Sequence, residues 1–449
     1  MAHPYELSLT QASEAIRAKQ LSPVELLESC LARAAALDPQ LTAWALLTPE
    51  VAMAGAREAE REIAQAGPKS PLHGIPYGAK DIFDTGGIRT AAGSKVWADR
   101  VPDEDSAPVA IVKQAGAVLM GKTHMTEFAA GDPAPSKNPW NPAHTAGGSS
   151  TGSGVAVASR MVPWAFGSQT VGSVLRPAAY NGVVGLKPTF GRISRLGVIP
   201  HAQSFDHVGV LARSVADTAA LLSVLAGYDP ADPDCVDRPV DDYLGAVAAA
   251  TAPRIGLVRG WFSDESDAEM RLMIEEVAQR LAKAGAEVIE VATDIDFARA
   301  YDAHRVMQQT EIAHFHEPMF TETEALYGPK VADYIRLGFG YTATQYVTAM
   351  NYRRAVVAAA AGSLTDVDVL LMPTASGPAP ADLTATGDTR FQSVWSFTGF
   401  PSISVPVGLA GNGLPLGAQM AAAPFQEGRL LAAAYWAEQT LGVELSPPV

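Results

Sequence analysis

The sequence predicts an α/β protein in which helices flank a mixed β-sheet. Three observations support this. The N-terminal segments have helical periodicity and caps, short apolar runs alternate with Gly, Ser and Pro clusters between Gly74 and Gly209, and a strand–helix–strand unit follows Pro253. With 449 residues, of which 48% are hydrophobic and 18% charged, the chain can bury the core of one large domain or of two fused ones.

The N-terminal region predicts two helices. Ser22 precedes the first helix as its N-cap, Pro23 occupies the first helical position and Glu25 can reach back in a capping box. A second helix is predicted at roughly 51–66. The apolar runs AVLM at 117–120 and VVGL at 183–186 then predict strands joined by tight functional loops.

The C-terminal half repeats the α/β pattern after a linker-like stretch near 231–243. PRIGLVRG and VIEVA predict strands around the amphipathic helix MRLMIEEVAQRLAKAGAEV, and 297–363 has a helical pattern. DVLLMP near 370 and SISVPVGL at 402–409 predict further strands, and GRLLAAAYWAEQTL predicts a closing helix.

Charge and cysteine content exclude several classes of partner. The formal net charge of −15 opposes extended contact with phosphate backbones or anionic lipid, so neither nucleic acid nor a membrane is expected as a partner. Cys30 and Cys235 lie far apart without metal-ligand spacing, which is typical of a reducing compartment. We find no leader pattern and no apolar run approaching the ~20 residues of a membrane span, and we expect a cytoplasmic protein.

One nucleotide-binding pattern is misleading. Gly116–Thr123 matches the P-loop expression GxxxxGK[ST], but its AVLM insert is a buried-strand sequence that would hold the chain extended, whereas a P-loop curls around phosphates. There is no GxSxG, HExxH or paired-cysteine motif, and the nine histidines are scattered singly. The sequence therefore predicts neither a cofactor nor a metal.

Two loops are unusually rich in glycine and serine. They are AHTAGGSSTGSG at 143–154 and the start of GSQTVGSVLRPAAYNGVVGLKPTFGR at 167–192. Glycines let the backbone approach a substrate closely, and serines among them can act as nucleophiles or proton carriers. By composition alone they also fit a pair of ordinary loops.

Motif order resolves this choice, because the chain resembles the amidase signature family. Ser149 lies in the GGSS motif, Ser173 follows 24 residues later in GSQTVGS, and Lys80 lies in GIPYGAKD. NPWNP at 138, GFPSISVPVG at 399 and GLPLGAQ at 413 extend the likeness over most of the chain. The resemblance implies the amidase signature fold, a large twisted mixed sheet with helices on both faces. It also implies a single domain over 1–449, with N-terminal helices (1–66), a signature catalytic core (67–230), a helical and α/β insertion (240–363), and returning strands with a C-terminal helix (364–449).

The resemblance also implies a catalytic apparatus. Ser173 would be the nucleophile, Ser149 the proton bridge and Lys80 the base, with a cis Gly148–Ser149 peptide. A lysine is a base only when neutral, so burial must lower its pKa from an ordinary value near ~10.4. The N–H groups of Thr170, Val171, Gly172 and Ser173 would form the oxyanion hole. The family usually has Asp-x-Gly-Gly-Ser where this chain has Gln169-Thr170-Val171-Gly172-Ser173, so the effect of Gln169 and Val171 on that loop is open.

Substrate-binding residues are predicted with alternatives. Arg176 lies three residues after Ser173, as in the malonamidase-like branch, where the matching arginine binds a substrate carboxylate; it could equally pair with a loop carbonyl. Phe128 and Trp395, with Trp140 and Phe397, could line an apolar pocket or belong to the core. The loop after Gly191, which carries Arg192 and Arg195, could form a rim or lid.

We therefore predict a serine hydrolase that cleaves C–N bonds of linear amides through an acyl-Ser173 intermediate, with ester and carbamate cleavage as variants, a small-molecule substrate and a plausible homodimer. The first alternative is the glutaminase component of a tRNA-dependent amidotransferase. We rank it second because QQTEIAHFHEP at 308–318 replaces the NLARYDG-like segment of that component. The second alternative is a non-catalytic binding protein on this scaffold, against which intact Lys80, Ser149 and Ser173 argue.

Overall fold

A single mixed sheet of eleven strands organises the chain, as seen in a computed structural model that describes residues 3–449. The strands are β1 Trp44–Leu47, β2 Pro76–Lys80, β3 Val118–Thr123, β4 Trp164–Gln169, β5 Val184–Lys187, β6 His207–Ala212, β7 Arg254–Leu257, β8 Glu287–Glu290, β9 Val369–Pro373, β10 Ser402–Leu409 and β11 Pro415–Ala421. Their order is β1-β3-β2-β4-β6-β5-β10-β11-β9-β7-β8. The predicted α/β class with a large mixed sheet is confirmed.

Helices flank this sheet along the whole described chain. They are α1 Leu9–Arg17, α2 Pro23–Leu41, α3 Pro49–Ala66, α4 Ala107–Gln114, α5 Thr151–Ala158, α6 Leu175–Asn181, α7 Val215–Leu225, α8 Tyr243–Ala248, α9 Trp261–Glu265, α10 Ala268–Lys283, α11 Phe297–Thr323, α12 Pro329–Gly340, α13 Ala343–Gly362, α14 Arg390–Thr398 and α15 Glu427–Leu441. Within residues 3–449, none of them combines the length and apolarity needed to cross a bilayer.

Local sequence signals place several elements correctly. Ser22 caps α2 as predicted: its hydroxyl accepts from the Glu25 N–H at 3.1 Å, and its own N–H donates to the Glu25 carboxylate at 2.8 Å. The GKT of the P-loop expression lies in β3, which pairs with β1 on one side and β2 on the other. The strand predicted for AVLM is thus observed, and extended, doubly paired backbone does not wrap around a phosphate as a P-loop does.

Three helices lie in the region between Gly74 and Gly209 for which strands and loops were predicted: α4, α5 and α6. α5 begins at Thr151, inside the first serine-rich segment, and α6 begins two residues after Ser173; all residues of both helices are buried. Gly and Ser have low helix propensity, so the sequence TGSGVAVA gives no local helix signal. Burial against the sheet stabilises α5, and small side chains allow that close packing.

The sheet topology brings the predicted site residues to one edge. β2 and β4 are parallel neighbours, paired through Tyr77 with Trp164 and Gly78 with Ala165. Lys80 is the last residue of β2, and the loop carrying Ser173 follows β4. Because the carboxyl ends of adjacent parallel strands lie at the same edge, this pairing places both segments together.

Candidate active site

A buried lysine lies at the centre of the candidate site. The Lys80 amine lies 2.7 Å from the Ser149 hydroxyl, 2.8 Å from the Ser168 hydroxyl and 3.3 Å from the Ser168 carbonyl. Its side chain is fully buried. Burial lowers the pKa of Lys80 well below its ordinary value, because water no longer stabilises the ammonium form, and the carboxylate of Asp206 opposes this shift in part. The amine therefore meets the requirement for a base.

The two predicted catalytic serines share one cavity. Ser149 follows a cis peptide bond at Gly148–Ser149, as the resemblance implies, and Ser150 donates its N–H to the Ser173 carbonyl at 3.3 Å. Ser149 and Ser173 both line a cavity of about 60 Å³, called the Ser173 cavity below. Lys80 is hydrogen-bonded to Ser149, whereas within residues 3–449 no hydrogen bond joins the Ser149 and Ser173 hydroxyls. Of the predicted path from Ser173 through Ser149 to Lys80, the structure therefore contains the Ser149–Lys80 contact, and Ser173 lines the same cavity.

The loop after β4 presents unengaged N–H groups. Within the described residues, the N–H groups of Thr170, Val171, Gly172 and Ser173 donate to no backbone carbonyl. The loop is held by its other atoms: the Thr170 hydroxyl donates to Asp206 at 2.5 Å, and the Val171 carbonyl accepts from the Ser396 hydroxyl at 2.8 Å. A fixed loop with free donors is suited to stabilising an oxyanion.

Gln169 has a role that sequence reasoning left open. Its side-chain oxygen accepts from the N–H groups of Val174 and Leu175 at 2.9 and 3.0 Å, and its amide donates to the Ser396 hydroxyl at 3.0 Å. Gln169 therefore ties the start of α6 to α14, which also holds the Val171 carbonyl. Val171 is buried and lines the Ser173 cavity.

Arg176 lies on the same cavity with part of its guanidinium unpaired. One terminal nitrogen donates to the Gly148 carbonyl at 2.6 Å and to the Thr386 hydroxyl at 3.0 Å. The other terminal nitrogen and Nε are buried without a partner in the described chain. Both predicted roles thus have a basis: Arg176 pairs with a loop carbonyl, and it retains two donors beside Ser173.

Sequence reasoning missed several residues that complete the cavity. The additional lining side chains include His201, Tyr301, Arg305, Gln308, Tyr334 and Thr389. They lie in loops and helices far from the signature motifs, and no local pattern links them to Ser173. Burial lowers the pKa of His201. The neutral ring donates from Nδ1 to the Phe128 carbonyl at 2.7 Å and accepts at Nε2 from Gln308, also at 2.7 Å.

The structure does not bring the other predicted substrate-binding residues to this cavity. Phe128 is buried and packs edge-on against Trp97 and His316, and the residues that follow it in sequence, 129–131, line the cavity in its place. Trp395 is fully buried in a second apolar cluster with Phe397. Both aromatics thus follow the core alternative.

Arg192 holds two segments of the chain together and does not lie at the rim of a cavity. Its guanidinium donates to the Tyr243 hydroxyl at 2.8 Å and to the carbonyls of Arg238 and Pro239. It is buried, whereas a rim residue would be exposed. The contacts join the loop after β5 to the segment before α8.

The fold and the buried lysine–serine arrangement define a class of amide hydrolases, and comparison with known proteins agrees. The model of the family described as Amidase matches residues 25–431. The chain therefore belongs to the amidase family, whose enzymes hydrolyse amide C–N bonds.

Similar proteins fall into two groups. A protein of Geobacter sp. (strain M21), named as one of the subunits of glutamyl-tRNA(Gln) amidotransferase, is 37% identical over 468 residues, covering 96% of each chain. Among solved structures, one described as a vestigial complex that reveals the origins of an s-triazine catabolic enzyme has a TM-score of 0.91 at 31% identity, covering 97% of this chain and 99% of that one. The native peptide amidase of Stenotrophomonas maltophilia has a TM-score of 0.87 at 31% identity, covering 99% of each chain. The sequence relatives favour the amidotransferase alternative over the stand-alone amidase.

Proposed function

We propose that the protein is a serine amidohydrolase acting on small linear amides that carry a carboxylate. The observation that carries this proposal is Arg176, whose buried guanidinium keeps two unpaired nitrogens beside Ser173. The cavity of about 60 Å³ supports a short acyl group. Esters and carbamates with the same acid group are further substrates, because their hydrolysis passes through a similar oxyanion.

The Lys80–Ser149 hydrogen bond supplies the first part of a proton path, and the second part requires the Ser173 hydroxyl to turn toward Ser149 within the cavity that both residues line. The neutral amine accepts the Ser149 proton while Ser149 accepts the Ser173 proton, and the Ser173 oxygen then bonds to the amide carbon. N–H groups of 170–173 stabilise the oxyanion. As the C–N bond breaks, the proton returns from Lys80 through Ser149 to the leaving nitrogen, giving amine and acyl-Ser173. Water, activated by the same path, then releases the acid and restores Ser173.

The charge of the lining supports an anionic substrate. No Asp or Glu is among the described residues that line the Ser173 cavity, whereas Arg176 and Arg305 are. Asp388 attracts Arg176 without a hydrogen bond and is itself paired with Arg390, so a substrate carboxylate can accept from both unpaired nitrogens of Arg176. This ligand satisfies donors that the protein itself leaves unpaired.

Arg176→Gln tests the proposal. We compare kcat/KM for malonamate with kcat/KM for its neutral methyl ester, both measured as release of ammonia. We expect the preference for the acid to fall roughly 100-fold, the cost of losing a charge-assisted bond. Thr386→Val is the matched control, because it removes a hydrogen-bond partner of Arg176 and keeps the charge. Equal losses on both substrates, or a wild-type enzyme that does not prefer the acid, would contradict a carboxylate site.

A second candidate is the glutaminase component of an amidotransferase. It is supported by the relatives named as amidotransferase subunits, such as the Geobacter protein described above. Glutamine, however, carries an α-ammonium group, and no acidic side chain lines the Ser173 cavity among the described residues.

One substrate pair separates the two candidates. Glutaramate is glutamine without the ammonium group, so the purified chain should hydrolyse glutaramate faster than L-glutamine if the enzyme acts alone on anionic amides. Faster hydrolysis of L-glutamine, appearing only when partner subunits are added, would support the amidotransferase.

A further inference from the structure

We infer that Arg305 is a second specificity-determining residue, which holds the acidic end of the substrate together with Arg176. The inference deepens the proposed function and rests on it. Arg305 lies in the first half of α11 and lines the Ser173 cavity together with Ser149, Ser173 and Arg176. It is separated from the signature motifs by more than a hundred residues in sequence, and only the tertiary structure connects it to them.

The two guanidinium groups approach the cavity beside the same phenols. The Arg305 guanidinium carbon lies 5.9 Å from the centre of the Tyr301 ring, and the Tyr301 hydroxyl is bonded to Thr389 at 2.9 Å. Burial raises the pKa of the Tyr334 phenol, while Arg305 and Arg176 both oppose that shift. Tyr334 therefore lies within the field of both cations, which places them around one space.

The Arg305 guanidinium has no acidic contact partner in the described chain. Arg305 is half-buried, yet within residues 3–449 its guanidinium forms no ion pair and no hydrogen bond. Arg390, which does not line the cavity, pairs with Asp388 and Glu265 at 2.8 Å and shows the usual arrangement. Two like charges facing a cavity without a carboxylate repel each other, and an anionic ligand between them turns repulsion into attraction.

The geometry also defines the ligand class. Arg176 is buried and carries two unpaired donors, and Arg305 is half-buried. A short acid whose carboxylate accepts from Arg176 and faces Arg305 satisfies both groups. A neutral amide of the same size satisfies neither, so Arg305 discriminates by charge and adds to the selectivity of Arg176.

Helix α11 supplies a matched control. Arg299 lies six residues before Arg305, is exposed, and stacks over the Tyr352 ring at 4.1 Å on a different surface groove. Arg299→Gln removes one positive charge from the same helix without touching the Ser173 cavity. It therefore controls for general electrostatic attraction of an anionic substrate.

The experiment compares wild type, Arg305→Gln, Arg305→Lys and Arg299→Gln on malonamate and on its neutral methyl ester. For Arg305→Gln we expect the acid-over-ester ratio of kcat/KM to fall about tenfold, mainly through a higher KM for malonamate. Arg305→Lys should recover part of that ratio, because it restores charge without the planar fork. Arg299→Gln should keep the wild-type ratio.

Each outcome is decisive. An unchanged ratio in Arg305→Gln, or an equal fall in Arg299→Gln, overturns the role of Arg305. If Arg176→Gln loses the preference while Arg305→Gln keeps it, the proposed function stands and this inference fails. If wild type shows no preference for the acid, the proposed function itself fails.

Discussion

Replacing Lys80 by methionine should separate activity from stability. Methionine has a similar length and no amine, so Lys80→Met removes the base without leaving a large cavity. In residues 3–449, Lys80 is the hydrogen-bond partner of the Ser149 hydroxyl, at 2.7 Å. Because no other base contacts that hydroxyl, the whole general-base contribution should be lost, a fall in kcat of roughly 10²–10⁴-fold.

Whereas Lys80→Met should lower activity, it should raise stability relative to wild type at low pH. Burial lowers the pKa of Lys80 in the folded state, so between the folded and unfolded pKa values the unfolded chain binds more protons. The stability of the wild type therefore rises with pH through that window. The methionine variant lacks this pH dependence, so its Tm relative to that of wild type should be highest at acidic pH. Loss of the hydrogen bond to Ser149 should lower the free energy of unfolding of the variant by about 1 kcal/mol.

The assays are kcat on malonamate, labelling of Ser173 by a fluorophosphonate, and Tm between about pH 6 and pH 9. Wild-type activity should decline as pH falls through the pKa of Lys80, since protonation removes the base. Lys80→Arg is the control, because an arginine stays protonated at every pH used and should also be inactive. A methionine variant that keeps more than a tenth of the activity would refute the assignment of Lys80 as base.

Two further predictions concern the supports of the site. Gln169→Ala leaves the N–H groups of Val174 and Leu175 unpaired. The free energy of unfolding should therefore fall by on the order of 3 kcal/mol, and kcat should fall with it. An unchanged midpoint in denaturant unfolding would argue against this role of Gln169. Burial lowers the pKa of Lys187 in the folded protein to about 7, so above that pH the unfolded chain binds more protons than the folded one. The free energy of unfolding of wild type should therefore rise by roughly 4 kcal/mol between about pH 7 and pH 10. Lys187→Met should flatten that rise in thermal unfolding, and an identical slope in both proteins would disprove it.

Motif spacing and local caps were readable from the sequence because both depend on nearby residues. The capping box at Ser22 needs only Glu25, and the strand character of AVLM needs only its apolar run. The signature serines and Lys80 identified the family before the fold was known, and the family match over 25–431 confirms it. The helices α5 and α6 were missed, because buried contacts stabilise sequences whose own propensity is low.

The composition of the substrate cavity was decided only by tertiary structure. Phe128, Trp395 and Arg192 fit a binding role by residue type, but packing places two in apolar clusters and pairs the third with Tyr243. Arg305 and His201 reach the cavity only because α11 and the loop before β6 fold against the sheet edge.

The sequence by itself determined the family, the class of fold and the identity of the three candidate catalytic side chains, because these follow from residue type at fixed spacing. The tertiary structure decided which charges share a desolvated space. The lowered pKa of Lys80 and the placement of two arginines on one cavity depend on burial and on distances between residues remote in sequence, and no local pattern encodes either quantity.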